Sequence, residues 1–489
     1  MTTVLTGETF ESFNPATGET VGAYPVHTAE QVESAVAKAR EAAAWWDSLG
    51  FAGRAERLAT WRAALANRMP ELVEVISEET GKPAGDAQLE LVLAIEHLAW
   101  AGKHARKVLG PQRRAPGLLL ANQAASVEHQ PLGVVGVIGP WNYPVYTPLG
   151  SISYALAAGN AVVFKPSEFT PGVGKWLADS FAEAVPEHPV LQLVTGLGET
   201  GAALTKAGAD KIAFTGSAAT GKKVMASAAE TLTPVVIEAG GKDPLLVDAD
   251  ADLDAAADAT VWGAFSNAGQ TCAGVERVYV HERVHDEFVA KVVAKAEDID
   301  AGEQYGPMTM PSQLDIVRRH IEDALAAGGK AVVGGADAVG DRYVKPTVLV
   351  DVPEDCSAVR EETFGPTVTI AKVATMDEAV EKANDSVYGL GSTVFSKSRG
   401  MELARRLRTG QTAINAPLSF AGIASLPFGG SGDSGFGRIH GPEGLREFAR
   451  PKAIARQRFT APIALTSFAR SKKTEALVGK LIAKLHGKG

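Results

Sequence analysis

Short apolar runs rich in β-branched residues recur along most of the chain and alternate with segments of helical periodicity. The first group comprises VVGVI (134–138), AVVFK (161–165), VLQLV (190–194), KIAF (211–214) and VVIE (235–238). The second group comprises LLVD (245–248), RVYV (277–280), TVLV (347–350), TVTI (367–370), STVF (392–395) and TAIN (412–415). Strands that are apolar throughout and alternate with helices are typical of parallel sheets covered on both faces. The pattern therefore predicts an α/β protein with two parallel-sheet domains in sequence.

The N-terminal region shows helical periodicity instead. In residues 29–46 apolar side chains recur every three or four positions, which predicts an amphipathic helix. A second helix is predicted over about 54–80, because Gly81 and Pro83 follow it, and a third over about 86–109. A chain of 489 residues is too long for one simple core and suggests roughly two to four domains.

The bulk charge and the cysteine content argue against several classes of protein. A net charge of −9 disfavours nucleic acid as a main partner. The two cysteines, Cys272 and Cys356, cannot build a disulfide framework, and neither has a partner at metal-ligand spacing, so a reducing compartment is favoured. The first residues lack the basic start and apolar core of a signal peptide, and no apolar run is long enough to span a bilayer. We therefore expect a soluble cytoplasmic protein.

One short motif, HERVH (281–285), matches the H-E-x-x-H pattern of zinc proteases. Zinc binding would need both histidines and the glutamate on one helix. His281 directly follows the strand-like RVYV, so His281 and Glu282 are predicted in a turn, with a helix beginning near His285. We therefore expect no metal at this site. A zinc-dependent hydrolase that uses these three residues remains the less favoured alternative to the interpretation below.

Two glycine-rich segments point to an anionic ligand. GSAATGKK (216–223) differs from a P-loop because Lys223 stands where magnesium-binding Ser or Thr is required. It follows a predicted strand and opens a helix, where free backbone N–H groups can bind a phosphate, although a plain turn capped by Ser217 explains it equally well. GLGETG (196–201) matches G-x-G-x-x-G, but the next strand does not end in an acidic residue. A nucleotide is expected nearby, outside the standard dinucleotide arrangement.

Cys272 lies in NAGQTCAG (267–274), among small and polar residues rather than the bulky apolar neighbours typical of a structural cysteine. GPWNYP (139–144), KPSE (165–168) and EAGGKDP (238–244) have the same character and, like the cysteine segment, are expected at strand ends. Open α/β sheets bind ligands beyond the carboxyl ends of their strands. We therefore expect these four segments to meet at one site.

These segments contain the groups that covalent catalysis on a carbonyl requires. Cys272 could be the nucleophile, Glu238 a general base and the Asn142 amide a donor to a developing oxyanion. Each also has a structural interpretation: a turn for Asn142, a surface ion pair for Glu238 and a small core filler for Cys272. Their joint occurrence favours the catalytic interpretation.

The chain resembles the aldehyde dehydrogenase superfamily over nearly its whole length, from FNPATGE (13–19) to PFGGSGDSGFGRIHG (427–441). The motifs that match, in family order and at similar spacing, are PWNYP, KPSE, FTGS (214–217), EAGGK, GQTC (269–272) and EETFGP (361–366). The resemblance implies a Rossmann-like parallel-sheet cofactor domain, an α/β catalytic domain and a small β oligomerisation arm. The implied bounds are 1–112 with 132–240 for the cofactor domain, 241–432 for the catalytic domain, 113–131 with 450–459 for the oligomerisation strands, and 460–489 for a basic tail.

The resemblance also implies a role for each motif residue in the NAD(P)-dependent oxidation of an aldehyde to a carboxylic acid. Cys272 would form a thiohemiacetal and then a thioester, and the Asn142 side chain and the Cys272 N–H would form the oxyanion hole. Glu238 would activate water for deacylation, which argues against the CoA-acylating branch that typically lacks this residue. The implied cofactor residues are Ile138, Trp141 and Gly198 along the cleft, Lys165 and Glu168 at the adenosine ribose, Gly216 and Ser217 at the pyrophosphate, and Glu362 and Phe364 at the nicotinamide ribose.

Cofactor preference and substrate follow less directly. A carboxylate at Glu168 would repel a 2′-phosphate, which favours NAD, while Lys165 leaves NADP open. An apolar or aromatic aldehyde is expected, because no arginine is obviously placed to bind a second carboxylate and several pocket candidates are aromatic. These candidates are Tyr143, Tyr146, Trp262, Phe420 and Phe428. Two family positions differ here, with Ala239 for leucine in ELGGK and Ser431-Gly432-Asp433 for the lysine segment after PFGG, and the second weakens the substrate prediction.

The C-terminal tail differs in composition from the rest of the chain. From Arg456 onward it has eight Lys or Arg residues and one acidic residue, Glu475. TEALVGKLIAKLH could form a short basic amphipathic helix, either solvated or lying on the protein's own surface, or else contacting an anionic membrane surface or a neighbouring subunit. The resemblance implies a homodimer or homotetramer, formed by strand addition through the oligomerisation arm.

Overall fold

A computed structural model describes residues 7–460 and 467–487 of the chain. The chain divides into two units, Met1–Leu109 with Pro131–Arg450, and Gly110–Gln130 with Pro451–Gly489. The α-helices are α1 (Ala29–Ser48), α2 (Gly50–Asn67), α3 (Met69–Thr80), α4 (Ala84–Leu109), α5 (Tyr146–Ala158), α6 (Pro171–Ala184), α7 (Gly198–Lys206), α8 (Ala218–Ala229), α9 (Leu253–Phe265), α10 (His285–Glu297), α11 (Gln313–Ala326), α12 (Ser357–Arg360), α13 (Met376–Asn384), α14 (Gly400–Arg406), α15 (Ser419–Gly422), α16 (Gly441–Glu447) and α17 (Lys472–His486). The strands are β1 (Thr9–Phe13), β2 (Thr20–Pro25), β3 (Gln112–Arg114), β4 (Gln123–Pro131), β5 (Val134–Ile138), β6 (Ala161–Lys165), β7 (Leu191–Leu193), β8 (Lys211–Gly216), β9 (Val235–Ala239), β10 (Asp243–Val247), β11 (Val275–His281), β12 (Lys330–Val333), β13 (Thr347–Val350), β14 (Thr367–Val373), β15 (Thr393–Phe395), β16 (Ala413–Ile414), β17 (Gly435–Phe436) and β18 (Ala449–Gln457).

The N-terminal helices begin and end where local sequence dictates. Thr28 caps α1 through a capping box with Gln31, which satisfies backbone N–H groups of the first turn. The single helix predicted over 54–80 is wrong, because α2 ends before Arg68 and α3 begins at Met69. Pro70 causes this break, since proline has no N–H and is accommodated only in the first turn of a helix. Gly81, with φ of 73°, ends α3 in the left-handed conformation that glycine tolerates.

A six-stranded sheet in the order β17-β9-β8-β5-β6-β7 forms the first of the two predicted sheets. Strands β9, β8, β5, β6 and β7 are parallel, and only β17 pairs antiparallel, through Gly435 opposite Glu238. All five residues of β6 are buried, which is the pattern expected for a parallel strand covered on both faces. The α/β prediction is confirmed for this part of the chain.

A seven-stranded sheet in the order β12-β13-β14-β11-β10-β15-β16 follows it in sequence. All of its pairs are parallel except β12 with β13. The short edge strand β12 was not predicted, because KAVV (330–333) is only half-buried and alternates between partly buried and exposed residues. The antiparallel hairpin of β1 and β2 was not predicted either. The chain passes from one sheet to the other between β9 and β10.

The second unit contains a three-stranded sheet in the order β18-β4-β3. All residues of β18 after Ala449 are exposed, which leaves a side of this small sheet open. The strands overlap the segments predicted as the oligomerisation arm, with Gln112 and Ala449 one residue outside the predicted bounds. The role of the arm stays a prediction. The same unit contains α17, none of whose residues is buried. Among the described residues, every helix falls short of the length and apolarity that crossing a bilayer requires.

Candidate active site

A cleft with a volume of about 780 Å³ lies at the carboxyl ends of the six-stranded sheet. Strand β5 leads into the GPWNYP segment, β6 ends at Lys165 and β8 ends at Gly216, so three strands deliver polar or glycine-rich segments to one edge. This edge is where open α/β sheets bind ligands. The sequence-predicted residues that line the cleft are Ile138, Trp141, Asn142, Lys165, Glu168, Gly198, Gly216, Ser217, Cys272, Glu362 and Phe364.

Cys272 reaches this cleft from the opposite sheet. Cys272 was expected beyond the carboxyl end of a strand. It lies instead before the amino end of β11, in the loop that leads into that strand. Asn267 and Ala268 in that loop have φ of 53° and 55°, a left-handed conformation that is strained for residues other than glycine. At Gly269 (φ 70°) an added Cβ would lie 2.2 Å from the Gly365 carbonyl, so only glycine fits there. This tight loop directs the thiol toward the carboxyl edge of the first sheet.

Glu238 lies next to Cys272 at the end of β9. The cysteine Sγ is 3.5 Å from Glu238 Oε1, and the Thr215 hydroxyl is 3.5 Å from Oε2. Burial raises the pKa of Glu238 to about 7, against the opposing effect of these two donors. Burial also raises the pKa of the Cys272 thiol well above its usual value, and the nearby Glu238 charge adds to the shift. The thiol is nevertheless only partly buried by area, because it faces the cleft.

Hydrogen bonds hold both the side chain and the backbone of Asn142. Its Nδ2 donates to the Gln270 carbonyl at 3.0 Å, which uses one of the two amide hydrogens and leaves the other for a ligand oxygen. Its backbone carbonyl accepts hydrogen bonds from Lys82 Nζ at 2.7 Å and from Asn267 Nδ2 at 3.1 Å. The cysteine loop and the asparagine loop are therefore joined by direct hydrogen bonds, although 128 residues separate Asn142 from Gln270.

A buried ion pair that sequence reasoning missed supports the asparagine loop. Lys82 Nζ and Glu90 Oε2 are 2.9 Å apart, with side chains 2% and 0% exposed. Glu90 Oε1 accepts hydrogen bonds from the backbone N–H groups of Val145 (2.7 Å) and Tyr146 (3.0 Å). The pair thus ties the loop between α3 and α4, and α4 itself, to the turn that carries Asn142. No motif marks these residues; the only sequence indication is the charge of Glu90 on an otherwise apolar face of α4.

A second buried network supports the loop that carries Glu362 and Phe364. Lys242 pairs with Glu276 in the interior and also donates to the Thr363 hydroxyl at 3.1 Å. Glu276 accepts the backbone N–H groups of Thr363 at 2.9 Å and Phe364 at 3.1 Å. This network was also missed, since it joins residues of β11 and the EAGGK segment to a loop far along the chain.

Within the same loop, Glu362 packs against the glycines of the EAGGK segment. Its Oε1 accepts the Gly241 N–H at 3.0 Å, and a Cβ on Gly240 would lie 1.9 Å from that oxygen. Burial raises the pKa of Glu362 to about 8. Phe364 stands edge-on to Trp141, with ring centroids 5.6 Å apart. This end of the cleft is therefore aromatic and carries a carboxyl group that is easily protonated.

The other end of the cleft is polar. Lys165 Nζ is 3.7 Å from Glu168 Oε2, and the lysine is buried while the carboxylate is partly exposed. Ser217 caps α8 by accepting the Thr220 N–H at 3.3 Å, which places a helix N-terminus at the cleft wall. Helix N-termini favour anions. A carboxylate, an ammonium and a helix N-terminus along one wall suit an extended ligand that carries hydroxyl and phosphate groups.

HERVH (281–285) does not form the single helix that zinc ligation needs. His281 is the last residue of β11, and His285 is the first residue of α10. The ring of His281 accepts the Arg283 N–H at 3.2 Å, and His285 Nδ1 lies 2.7 Å from Asp286 Oδ1. The two imidazoles therefore do not share a helical face.

The aromatic pocket candidates are a pair of tyrosines, a pair of phenylalanines and a separate tryptophan, which differ in burial. Tyr143 and Tyr146 are partly buried beside the catalytic candidates: the Tyr143 hydroxyl is 2.9 Å from Thr271 Oγ1, and the Tyr146 hydroxyl donates to the Ala421 carbonyl at 2.8 Å. Burial raises the pKa of Tyr146 well above 10, and the charges of Glu238 and Cys272 add to it. Phe420 and Phe428 are buried with ring centroids 6.1 Å apart, whereas Trp262 is largely exposed on α9.

Two histidines that the sequence did not single out border Tyr146. The rings of His97 and His440 each lie 5.5 Å from the Tyr146 ring, and 3.8 Å from each other. Burial lowers the pKa of His97 to about 4 and that of His440 well below 6.5. Both imidazoles are therefore neutral near pH 7, and this wall is aromatic and uncharged.

Comparison with known proteins agrees with this arrangement. Residues 3–454 match the aldehyde dehydrogenase family. A 4,4'-diapolycopene aldehyde oxidase of Methylomonas sp is 39% identical over 91% of this chain and 85% of its own length. A Mycobacterium ulcerans protein provisionally named an NADP(+) succinate-semialdehyde dehydrogenase is 38% identical over 90% of this chain and 87% of its own length.

Solved structures give the same result. A Brucella melitensis biovar abortus 2308 aldehyde dehydrogenase superposes with a TM-score of 0.88 and 32% identity, covering 93% of this chain and 95% of that one. An NAD-dependent aldehyde dehydrogenase from Sinorhizobium meliloti has a TM-score of 0.88 and 33% identity, covering 93% of each chain. The chain therefore belongs to the aldehyde dehydrogenase family, and the fold and family predictions from the sequence are confirmed.

Proposed function

We propose that this protein oxidises apolar aldehydes to carboxylic acids with NAD(P)+, through a thioester on Cys272. The observation that carries the proposal is the 3.5 Å contact between Sγ of Cys272, which lines the cleft together with Asn142, and Oε1 of the buried Glu238 behind it. A nucleophile, a base and an amide donor from three separate segments meet there. The arrangement has the parts needed for acyl transfer.

In the first step Glu238 takes the thiol proton and the Cys272 sulfur forms a bond to the aldehyde carbon. A carboxyl with a pKa near 7 is half ionised at neutral pH, so it can accept this proton. The carbonyl oxygen becomes an oxyanion, to which the unused hydrogen of Asn142 Nδ2 donates. The product is a thiohemiacetal on Cys272.

The cleft residues fit a nicotinamide dinucleotide. The volume of about 780 Å³ lies in the range of about 300–1,000 Å³ usual for such ligands. The α8 N-terminus and Ser217 would hold the pyrophosphate, Lys165 and Glu168 the adenosine ribose, and Glu362 the nicotinamide ribose. A bound NAD(P)+ would supply the acceptor for the hydride that leaves the thiohemiacetal carbon, and a thioester on Cys272 would remain. Glu168 favours NAD, while Lys165 leaves room for NADP, and the relatives include proteins named for each cofactor.

Glu238 then releases the thiol proton to solvent, which restores the carboxylate. In the last step Glu238 takes a proton from water, which attacks the thioester carbon. The carbon–sulfur bond breaks, the sulfur recovers a proton, and the carboxylic acid leaves. One carboxyl group thus serves both half-reactions, which a pKa close to the working pH allows.

The chemistry of the substrate end supports an apolar aldehyde. Tyr146 and its neighbours lie on three segments, 84–98, 143–158 and 415–427, and none of them contains a lysine or arginine. Lys82 Nζ lies 4.3 Å from the centre of the Tyr143 ring, but its charge is compensated by the buried pair with Glu90. A semialdehyde acid would therefore bring a second carboxylate to a site without an uncompensated cation, which costs free energy. Leu89, Val92, Ile423 and Leu426 on these segments are exposed apolar side chains. The 4,4'-diapolycopene aldehyde named for the Methylomonas relative agrees with this chemistry, and succinate semialdehyde, named for the Mycobacterium ulcerans relative, does not.

A panel of aldehydes tests this proposal. Straight-chain apolar aldehydes, benzaldehyde and succinate semialdehyde are each assayed with NAD+ and with NADP+, and formation of the reduced nicotinamide is followed by absorbance. We expect the longer apolar aldehydes to have the highest kcat/KM, and Cys272→Ala to show no steady turnover. A higher kcat/KM for succinate semialdehyde would contradict the substrate proposal, and turnover by Cys272→Ala would contradict the nucleophile assignment.

A further inference from the structure

Helix α17 presents an apolar surface that the described part of the chain leaves uncovered. Its apolar residues recur at three- and four-residue spacing and therefore share one side of the helix. They are Leu477, Val478, Leu481, Ile482 and Leu485. None of the helix residues is buried, and Leu477 remains 55% exposed.

Three of the four lysines of α17 lie along one edge of this apolar surface, and the fourth, Lys472, lies on the opposite side of the helix. Lys473 and Lys480 are four and three positions from Leu477, and Lys484 is three positions from Leu481, so each lysine neighbours a leucine on the helix surface. In the described residues of the tail, 467–487, the one acidic side chain is Glu475, and it pairs with Arg470 at 3.1 Å. The lysine charges are therefore not compensated within the tail.

We propose that α17 docks on an anionic lipid surface. An amphipathic helix binds such a surface with its apolar side at the boundary of headgroups and acyl chains, and flanking lysines extend to the phosphates. The position of the lysines beside the leucines, rather than opposite them, is the charge arrangement that this geometry requires. Ser471 caps the helix by accepting the Thr474 N–H at 3.2 Å, so the helix begins immediately after the polar segment that precedes it.

The position of α17 in the chain is consistent with an added function. The family match ends at residue 454, before the helix begins. The whole chain carries a net charge of −9, so an anionic surface attracts the lysines of this segment and repels the rest. Binding would therefore be oriented by the tail. This inference goes beyond the proposed function and does not depend on the substrate.

Vesicle binding by the full-length protein tests the inference. The protein is sedimented with vesicles of phosphatidylcholine containing phosphatidylglycerol, and with phosphatidylcholine alone, at low and high salt. We expect binding only to the anionic vesicles, weakened by salt. Replacing Lys473, Lys480 and Lys484 together by glutamate should weaken it at least about tenfold, since each lysine near the surface contributes to attraction. Leu477→Ser with Leu481→Ser should weaken it as well, because the apolar contact is lost.

The control variant changes the net charge of the chain by the same amount as the triple lysine variant of α17, but at exposed positions outside the tail. Lys38, Lys103 and Lys397 are exposed and lie outside the tail, and their replacement by glutamate should leave vesicle binding unchanged. Activity on a short soluble aldehyde checks that every variant is folded. Failure of the unmodified protein to bind anionic vesicles, or equal loss in the control, overturns the proposal. A tail variant that changes the oligomeric mass with no vesicle binding would assign α17 to contact between copies of the chain instead.

Discussion

Single residues at the cleft determine the chemistry that this family member can perform. Glu238 and Cys272 are in contact, and burial raises the pKa of each, so their proton is shared between two groups that resist ionisation. Asn142 contributes a neutral donor, which stabilises a developing oxyanion without perturbing the pair. Because the roles differ, substitutions of Asn142 and of Glu238 should have different effects.

Asn142→Ala should lower kcat by a factor on the order of 10²–10³, the usual cost of losing an oxyanion donor. Cofactor affinity should change little, because the aromatic and charged ends of the cleft remain. Steady-state kinetics and cofactor titration by fluorescence measure the two quantities. An unchanged kcat would remove the amide from the mechanism.

The pH dependence of turnover should report Glu238. Its carboxyl is protonated below about pH 7 and cannot accept a proton there, so activity should rise with pH through about 7. Measurement of kcat from about pH 5.5 to about pH 8.5 covers this rise, because the interval extends to both sides of the Glu238 pKa. In Glu238→Gln the rise of kcat with pH should disappear, and most of the steady-state rate should be lost. A native-like profile in that variant would assign the rise to another group.

Secondary-structure elements position these residues through buried charges. The Lys82–Glu90 pair joins the loop after α3, and α4, to the backbone of the loop that carries Asn142, and both side chains are almost fully enclosed. Removing one partner of such a pair leaves an uncompensated buried charge. The ion pair therefore affects both the stability of the fold and the geometry of the oxyanion donor.

Lys82→Met should lower the free energy of unfolding by about 3–5 kcal/mol and reduce kcat, because the Asn142 carbonyl loses a donor. Lys175→Met, which breaks the exposed pair with Asp179, is the control and should cost less than about 1 kcal/mol with kcat unchanged. Chemical denaturation and steady-state kinetics give the two values. Equal effects of the two substitutions would argue against the positioning role.

The elements themselves were largely predictable from sequence, whereas their contacts were not. Periodicity and β-branched runs identified strands such as β6 and β13, because these patterns are local. The sequence predicted a single helix over 54–80, but Pro70 divides this segment into α2 and α3. The link from Lys82 to Asn142 spans 60 residues and has no periodic or motif pattern. The family motifs identified the site residues. The buried pairs Lys82–Glu90 and Lys242–Glu276 and the adjacent rings of His97 and His440 follow only from the three-dimensional structure.

At the scale of the whole molecule, two sheets meet so that a thiol from one reaches a carboxylate from the other. The first unit contains this site, and the second contains the three-stranded sheet and α17. The exposed strand β18 leaves an edge that normally requires a partner. We infer from this that the chain assembles into dimers or tetramers.

Assembly is measured by light scattering on the full-length protein. The mass should be two or four times that of the chain, and Ile454→Asp in β18 should shift it toward a single chain, because a buried charge is costly at an apolar contact. Circular dichroism of the Ile454→Asp variant checks that the fold of the chain is retained. A monomer at every concentration tested would contradict the proposed arm.

The proposed oxidation passes through an acyl group on Cys272 that Glu238 helps to remove. Intact-protein and peptide mass spectrometry of Glu238→Gln with aldehyde and NAD+ tests this intermediate, with samples quenched over times long enough for the slower acylation expected when Glu238 cannot take the thiol proton. We expect one acyl group per chain to accumulate, attached to the peptide that contains Cys272 and absent without the cofactor. Formation of reduced cofactor and carboxylic acid at the native rate, with Cys272 unmodified at every time point, would contradict it.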